Sequence, residues 1–434
     1  MSDSYTLIEN VRIPESGSSF HGTKSILIKD PGSHGESVIE EIGDITPTER
    51  MRRYNGDGMY ALPAFHDMFC FLSEPDTSAA RSVLFTTLSA ISGGYSSVLA
   101  MPDMNFGADG GKSFSEYKSF FDKNALCDVR LACPIMTGTG RESISDFCLF
   151  STSGGVFTDI NSRIGDVALL QETMHICADK DLLFITKCDD SGLSGGGAVN
   201  LGKVSRLLKV AGIPESAENF ATARILLLAK ETGCRVHISQ VSTDGAVTMI
   251  REAKANGVNV TCDTSPQYFS FCDTDVIYYG TYAKVSPPLR SAESRLAIIE
   301  GLKDGTIDCI SSAHTPVSDA EKHRPMALSG FGMVGVQTAF PAAMTYLVYE
   351  HGMSLYRLCE LMSINPARII CMKDCGLQRG CSADIVIADL SREIIVTKSM
   401  LKSKSNNTPF LGLTLRGLPV EIFLGGKPRF NTLK

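Results

Sequence analysis

Residues 234–266 read CRVHISQVSTDGAVTMIREAKANGVNVTCDTSP and contain the pattern that decides the fold. An apolar run with β-branched residues is followed by a stretch of helical periodicity, and a second apolar run comes after it. A strand–helix–strand unit of this kind places two parallel strands side by side, with the helix on one face of the sheet. The stretch therefore predicts one unit of a parallel α/β fold.

The same alternation extends through the middle of the chain. Further apolar runs are SSVLAMPD, DVRLACPIMT, GGVFTD, DLLFITKCDD and TIDCISSAHTP, and an earlier strand is expected near residues 61–69. About eight such units predict an α/β (β/α)8 TIM barrel over residues 60–375. An open doubly wound sheet is the alternative, but it requires a Gly-rich phosphate turn after its first strand, and the sequence has none there.

The two ends of the chain share a different pattern. YTLIENVRI and SILIKD near the start, and ADIVIADL and VEIFLGGKPRF near the end, alternate apolar and polar residues as half-buried strands do. We expect residues 1–59 and 376–434 to form one small composite β-sandwich domain.

Composition excludes several classes of protein. The 434 residues are 43% hydrophobic and carry a net charge of −7, which is typical of a globular protein and argues against nucleic-acid binding. The 14 cysteines include no C-x-x-C pair, so reduced thiols and a cytoplasmic location are expected. The first residues do not resemble a signal peptide, and no apolar stretch of about 18 residues predicts contact with a membrane.

Several segments resemble the dihydroorotase branch of the amidohydrolase superfamily. ALPAFHDMFCFLSEPD is similar to the family's first strand, which carries Asp-x-His-x-His-x-Arg-Glu-Pro, and RVHISQVST to its sixth, with His-x-x-His-x-Ser-Thr. PPLR, NPAR and SKSNNTPF follow in the family's order. The resemblance covers nearly the whole chain and implies hydrolysis of a cyclic amide by one or two Zn²⁺ ions and a proton-shuttling Asp.

The positions where the family has its metal ligands hold other residues in this chain. By the resemblance, they fall on Phe69, Phe71, Ile160, Lys187, Gln240 and Ala313. Phenylalanine, isoleucine and alanine have no donor atom, a protonated lysine repels Zn²⁺, and a glutamine oxygen is a poor zinc ligand. We therefore expect no catalytic residue of the family type and no metal, so the family's zinc cofactor is predicted to be absent.

The family's substrate-binding positions are altered as well. They fall on Ser73, Asp103, Ser286 and Val317. The resemblance thus predicts a catalytically inactive dihydroorotase-like protein, a pseudoenzyme that acts as a structural or regulatory partner in pyrimidine biosynthesis. The expected partners are a second copy, aspartate carbamoyltransferase or an active dihydroorotase. The alternative is a hydrolase of cyclic amides with a rearranged or metal-free site.

Several side chains near the strand ends have two interpretations. Lys187 either pairs with one of four acidic residues or extends to solvent; the four are Asp67, Asp159, Asp189 and Asp263. The apolar replacements form either a new ligand pocket or a packed plug, and the plug is favoured because protein interiors are normally filled.

The histidines and one cysteine near the strand ends are ambiguous in the same way. His66, His237 and His314 are either a relocated metal site or structural, and odd spacing turns the first two away from the barrel interior, which favours the structural role. Cys188 is either a nucleophile or, as expected here, an inert thiol.

Overall fold

The computed structural model describes residues 4–14, 22–30, 36–103, 114–137, 143–144, 155–160, 164–372 and 376–431. Its strands are β1 (Ser4–Val11), β2 (Lys24–Asp30), β3 (Val38–Gly43), β4 (Met51–Asn55), β5 (Tyr60–Pro63), β6 (Phe65–Cys70), β7 (Tyr95–Ala100), β8 (Asp128–Leu131), β9 (Cys133–Pro134), β10 (Met136–Thr137), β11 (Ser143–Ile144), β12 (Val156–Thr158), β13 (Leu183–Thr186), β14 (Val199–Asn200), β15 (Gly212–Ile213), β16 (Arg235–Ile238), β17 (Val260–Thr264), β18 (Cys309–Ile310), β19 (Ile385–Ile395), β20 (Thr414–Leu424) and β21 (Lys427–Asn431).

Helices alternate with these strands. They are α1 (Ala79–Ser92), α2 (Phe114–Asn124), α3 (Val167–Asp179), α4 (Ser191–Ser194), α5 (Lys203–Leu208), α6 (Glu215–Thr232), α7 (Asp244–Ala255), α8 (Pro266–Ser270), α9 (Val276–Tyr279), α10 (Ala292–Asp304), α11 (Asp319–Lys322), α12 (Ala339–Ala343), α13 (Leu355–Cys359) and α14 (Asn365–Ile369). Short 3₁₀ segments cover Asp273–Asp275 and Gly280–Ala283, and π-helical segments cover Met344–Glu350 and Glu360–Ile364.

The strand–helix–strand stretch of the sequence forms β16, α7 and β17. The side chain of Thr243 accepts a hydrogen bond from the Ala246 backbone and starts α7, which ends before Gly257 at a positive φ of 75°. Strands β16 and β17 pair in parallel, with His237 opposite Thr261. The local sequence therefore produces the predicted unit.

Parallel strands follow one another in chain order around the centre of the molecule. One sheet has the order β6-β7-β8 and another β18-β17-β16-β13-β12-β9. A parallel bridge between Cys70 and His314 connects the end of β6 to the segment that follows β18. This mixed α/β arrangement has the strand order that the sequence predicts.

The chain ends form two four-stranded sheets, ordered β3-β2-β1-β4 and β21-β20-β19-β5. A shared apolar cluster contains residues from both termini: Ile8, Val11, Ile26, Ile28, Ile39, Ala61, Ala383, Ile385, Ile387 and Phe423. The predicted strand at 61–69 is divided, because β5 pairs with β19 while β6 pairs with β7. Residues 60–63 thus pair with the terminal strands, although the predicted barrel begins at residue 60.

Two further findings concern the helices and the cysteines. Among the described residues, no helix is both long and apolar enough to cross a membrane. The described cysteines are free thiols, and most of them are buried.

Candidate functional site

A cavity of about 300 Å³ lies at the carboxyl ends of the parallel strands. Its lining consists of Phe69, Phe71, Asp159, Ile160, Lys187, Gln240, Gln267, Val285, Ser286, Ala313, Thr315, Phe331, Gly332 and Met333. All six residues at the family's metal positions are in this set, and they come from the ends of five different strands. In α/β folds with parallel strands, ligands bind at the carboxyl ends of the strands, so the cavity is the candidate functional site.

The altered substrate positions separate into two groups. Ser286 lines the cavity, whereas its described lining does not include Ser73, Asp103 or Val317. The Ser73 backbone N–H donates to an Asp103 carboxylate oxygen at 3.1 Å, and the Val317 N–H donates to the Asn407 side chain at 3.1 Å. These contacts are within the protein and hold loops in place.

The two phenylalanines form part of one wall of the cavity. The Phe69 and Phe71 rings meet edge to face, with centroids 5.2 Å apart and planes at 85°. Phe69 and Ile160 also belong to one apolar cluster with Ile185. All three altered side chains nevertheless line a cavity of about 300 Å³, so they do not fill the space at the strand ends. The prediction of a packed plug is therefore wrong.

Lys187 and Asp159 supply charge to the same cavity. The Lys187 ammonium donates to the backbone carbonyl of Ser286 and to its hydroxyl, the latter at 3.1 Å. Asp159 is only 9% exposed and also lines the cavity. The structure thus places a cation and a carboxylate on one lining, while an ion pair of Lys187 stays a prediction.

A buried carboxylate holds the backbone at Gln240. Asp263 accepts a hydrogen bond from the Gln240 N–H at 2.9 Å, and it also accepts from His237 and Ser239 at 2.9 Å each. Gln240 has a φ of 61° and Ala313 a φ of 50°, a region that residues with a side chain rarely adopt. Two of the six altered positions are therefore held in strained backbone, which is common at ligand sites.

The histidines form hydrogen bonds inside the protein and do not line the cavity. His66 bonds the Ser97 hydroxyl at 2.8 Å, His237 bonds Asp263, and His314 accepts from the Gly335 N–H at 3.3 Å. Burial lowers the pKa of His66 to about 4 and that of His314 to about 3. These contacts support the structural interpretation.

A family-type metal centre does not fit the residues that are present. Across the described ranges, no group of three or more His, Cys, Asp or Glu side chains is arranged to hold a metal ion. Phe69 and Phe71 bring rings, and Lys187 a cation, to the places where donors would be needed. These side chains therefore do not provide a zinc site of the family type.

Cys188 does not have the properties of a nucleophile. It is 4% exposed, and burial raises the pKa of its thiol to about 12. A buried thiol with a raised pKa is protonated at neutral pH, which supports the prediction of an inert cysteine.

Some lining residues were not expected from the sequence. Gln267 follows β17 at the start of α8, so a wider search of strand ends would include it. Phe331, Gly332 and Met333 come from a loop that returns to the cavity through the hydrogen bonds Gly332 N–H to Lys284 and Thr315 N–H to Met333. No sequence pattern signals such a loop contact.

Comparison with known proteins identifies relatives. A family model described as dihydro-orotase-like matches residues 58–246. The chain is 38% identical to a dihydroorotase of Thermoanaerobacter sp. (strain X514) over 83% of this chain and 84% of that protein. It is 34% identical to a dihydroorotase of Caldicellulosiruptor saccharolyticus over 97% of both chains. Among solved structures, L-hydantoinase (dihydropyrimidinase) from Arthrobacter aurescens superimposes with a TM-score of 0.82 at 25% identity, covering 98% of this chain and 95% of that one.

These relatives correct the prediction of a catalytically inactive protein. Proteins that match most of the chain carry the name of an enzyme, which contradicts a pseudoenzyme with a purely structural or regulatory role. The prediction equated the loss of six ligand residues with the loss of activity, but the open cavity still brings charged and polar side chains together. With 38% identity over 83% of its length, the chain belongs to the dihydroorotase family.

Proposed function

We propose that the protein hydrolyses a cyclic amide of the dihydroorotate type in a rearranged site that does not use the family's zinc ligands. The observation that carries this proposal is the convergence of five strand ends on one open cavity with a cation and a carboxylate in its lining. The relatives named dihydroorotase support the reaction class. The L-hydantoinase structure supports a fold that accommodates cyclic amide chemistry.

Hydrolysis requires one proton acceptor and one group that stabilises negative charge. Water attacks the carbonyl carbon of the ring, and the ring C–N bond breaks to give a carboxylic acid and an N–H₂ group; the acid then releases its proton to solvent and becomes a carboxylate. We assign to Asp159 the acceptance of the water proton and its transfer to the leaving nitrogen. We assign to the Lys187 ammonium, which Ser286 holds by two hydrogen bonds, the stabilisation of the carbonyl oxygen as charge develops on it.

Substitution at the two charged positions tests this assignment. Lys187→Met keeps the length of the side chain without its charge, and Asp159→Asn keeps its shape without a basic oxygen. We expect each variant to lower kcat for dihydroorotate hydrolysis by about 10²-fold or more. Lys303→Met is the matched control, because Lys303 lies on α10 and contacts Glu300 on the surface. Equal rates in all four proteins would overturn the roles of Asp159 and Lys187.

The proposal also includes a closed barrel, a terminal β-sandwich, the binding partners and the cellular location. A closed (β/α)8 barrel over most of residues 60–375 is supported by the strand order and by the bridge from Cys70 to His314. A β-sandwich of 1–59 and 376–434 is supported by the apolar cluster that both ends share. Association with a second copy, aspartate carbamoyltransferase or another dihydroorotase, and a cytoplasmic location, remain predictions. Coelution in gel filtration tests the first, and cell fractionation tests the second.

A further inference from the structure

Two glutamines in the cavity have polar atoms that lack partners. Gln240 is 2% exposed and Gln267 is 1% exposed, and both side chains line the cavity. Within the part of the chain that the structure describes, neither side-chain Oε1 accepts a hydrogen bond. A buried polar atom without a partner destabilises the folded protein, so in a cavity it marks a place for a donor from a ligand or from water.

The backbone that carries Gln240 is fixed from behind. Its N–H donates to Asp263, which is fully buried and also accepts from the Ser311 hydroxyl at 2.6 Å. These contacts maintain the positive φ of 61° at Gln240. The backbone position from which the Gln240 side chain extends is therefore fixed before a ligand arrives, which is the preorganisation that ligand recognition favours.

Gln267 is held in place by the helix that carries it. It follows Pro266 at the start of α8, and its backbone carbonyl accepts a hydrogen bond from the Phe271 N–H at 3.1 Å. The neighbouring Tyr268 hydroxyl donates to the Pro287 carbonyl at 2.8 Å and anchors this turn. Among the described residues, the side-chain Oε1 of Gln267 has no donor, so it remains for a ligand.

The hydrogen-bond acceptors and aromatic rings of the cavity lining determine which class of ligand the cavity can bind. Two amide oxygens require N–H donors, and the edge-to-face pair of Phe69 and Phe71 offers apolar surface to a ring. A cyclic ureide, a ring with two N–H groups next to carbonyls, supplies both features. A carboxylate or an apolar ligand supplies no donor to either glutamine.

We propose that Gln240 and Gln267 are specificity residues that accept hydrogen bonds from the two ring N–H groups of a cyclic ureide. This inference rests on the proposed function for the class of ring, because that function places a cyclic amide in the same cavity. The inference goes further because it assigns the side chains that accept hydrogen bonds from the ring N–H groups. Neither glutamine takes part in the bond cleavage assigned to Lys187 and Asp159.

Binding measured by isothermal titration calorimetry tests the inference without turnover. The probes are 5,6-dihydrouracil and its 1-methyl, 3-methyl and 1,3-dimethyl derivatives, with the full-length protein. We expect each lost N–H to raise Kd by about tenfold, the change for one hydrogen bond of ordinary strength. Equal affinity for the parent and the dimethyl probe, or no binding of the parent at millimolar concentration, would overturn the proposal.

Matched variants identify which glutamine accepts a hydrogen bond from which ring N–H group. Gln240→Met and Gln267→Met keep the side-chain length without the oxygen, and each should weaken binding of the parent by about tenfold. The Kd of each Met variant should also be unchanged when the probe is methylated at the one nitrogen that the replaced glutamine contacts. Gln240→Glu and Gln267→Glu keep an acceptor oxygen and should restore part of the affinity. Gln378→Met, at an exposed position outside the cavity, is the control and should bind like the native protein.

The binding and turnover experiments separate the two proposals. Native-like melting of each variant shows that it folds. If the glutamine variants lose affinity as expected but no probe is hydrolysed, the result supports recognition of the ring N–H groups by the glutamines and contradicts the proposed hydrolase function. If hydrolysis is observed while both Met variants bind normally, the result supports the proposed hydrolase function and contradicts the role of the glutamines in binding the ring N–H groups.

Discussion

Two pairs of buried polar side chains near the ends of the parallel strands, one of carboxylates and one of glutamines, differ in how completely they are hydrogen-bonded. Asp263 accepts from four groups and Asp67 from three, and both are fully buried. In the described chain, the Gln240 and Gln267 oxygens have no donor, although they are almost equally buried. Satisfied buried groups stabilise a fold, whereas unsatisfied ones cost stability. The carboxylates therefore maintain the scaffold, and the cavity glutamines remain for a ligand.

Removing the most highly bonded carboxylate should have the largest effect. Asp263→Ala leaves four buried donors without an acceptor, so we expect the free energy of unfolding to fall by about 3–5 kcal/mol. Urea denaturation measures this loss. Asp263→Asn keeps one acceptor oxygen and should lose clearly less. Similar small losses in both variants would show that Asp263 does not maintain the scaffold.

The second carboxylate should make stability depend on pH. Burial, opposed by its three donors, raises the pKa of Asp67 to about 7. Because the folded pKa lies above the unfolded value of about 3.9, the stabilising contribution is complete below pH 4 and is lost as pH rises through 7.

Asp67→Asn cannot titrate and tests that dependence. The unfolding free energy of the native protein relative to this variant should fall by an amount on the order of 3 kcal/mol between pH 4 and pH 7.5. Urea unfolding at several pH values measures the difference. A difference that stays constant with pH would contradict the raised pKa.

The glutamines should respond in the opposite direction. Gln267→Met replaces a buried oxygen that has no described partner by an apolar group of similar length, so the free energy of unfolding should rise by about 1 kcal/mol in the absence of ligand. Thermal melting measures the gain. A loss of stability would indicate that the oxygen already has a partner, and the contrast with Asp263 would disappear.

An exposed ion pair provides the smallest expected effect. Arg251 and Asp304 are joined at 2.7 Å, but their side chains are 45% and 44% exposed. We expect Arg251→Ala to change the free energy of unfolding by less than about 0.5 kcal/mol. A change as large as that for Asp263→Ala would show that hydrogen-bond satisfaction in the interior is not what sets the scaffold's stability.

The fold was more predictable than its boundaries. The apolar runs around residues 156–158, 183–186 and 235–238 form parallel strands in the predicted order because their periodicity is local information. The run at 61–69 is two strands, since Leu62 and Val386 pair in a terminal sheet while the following residues pair with β7. Pairing partners far along the chain are not visible in a local pattern.

The site was predictable in position but not in character. The six altered positions line one cavity because the ends of parallel strands meet. The absence of a metal-binding side chain at Phe69 or Ala313 indicates which chemistry the site lacks. It does not indicate which residues perform the reaction in its place. That depends on contacts such as Lys187 with Ser286, which join residues 99 positions apart.

Turnover by metal-free protein tests the central claim most directly. Purified protein is dialysed against a chelator, its zinc content is measured, and dihydroorotate hydrolysis is followed with and without added zinc. A rearranged site predicts the same hydrolysis in both samples and a kcat lower by about 10²-fold or more in Lys187→Met. No turnover in either sample would contradict a hydrolase, and turnover only after zinc addition would contradict a site that works without the family's metal.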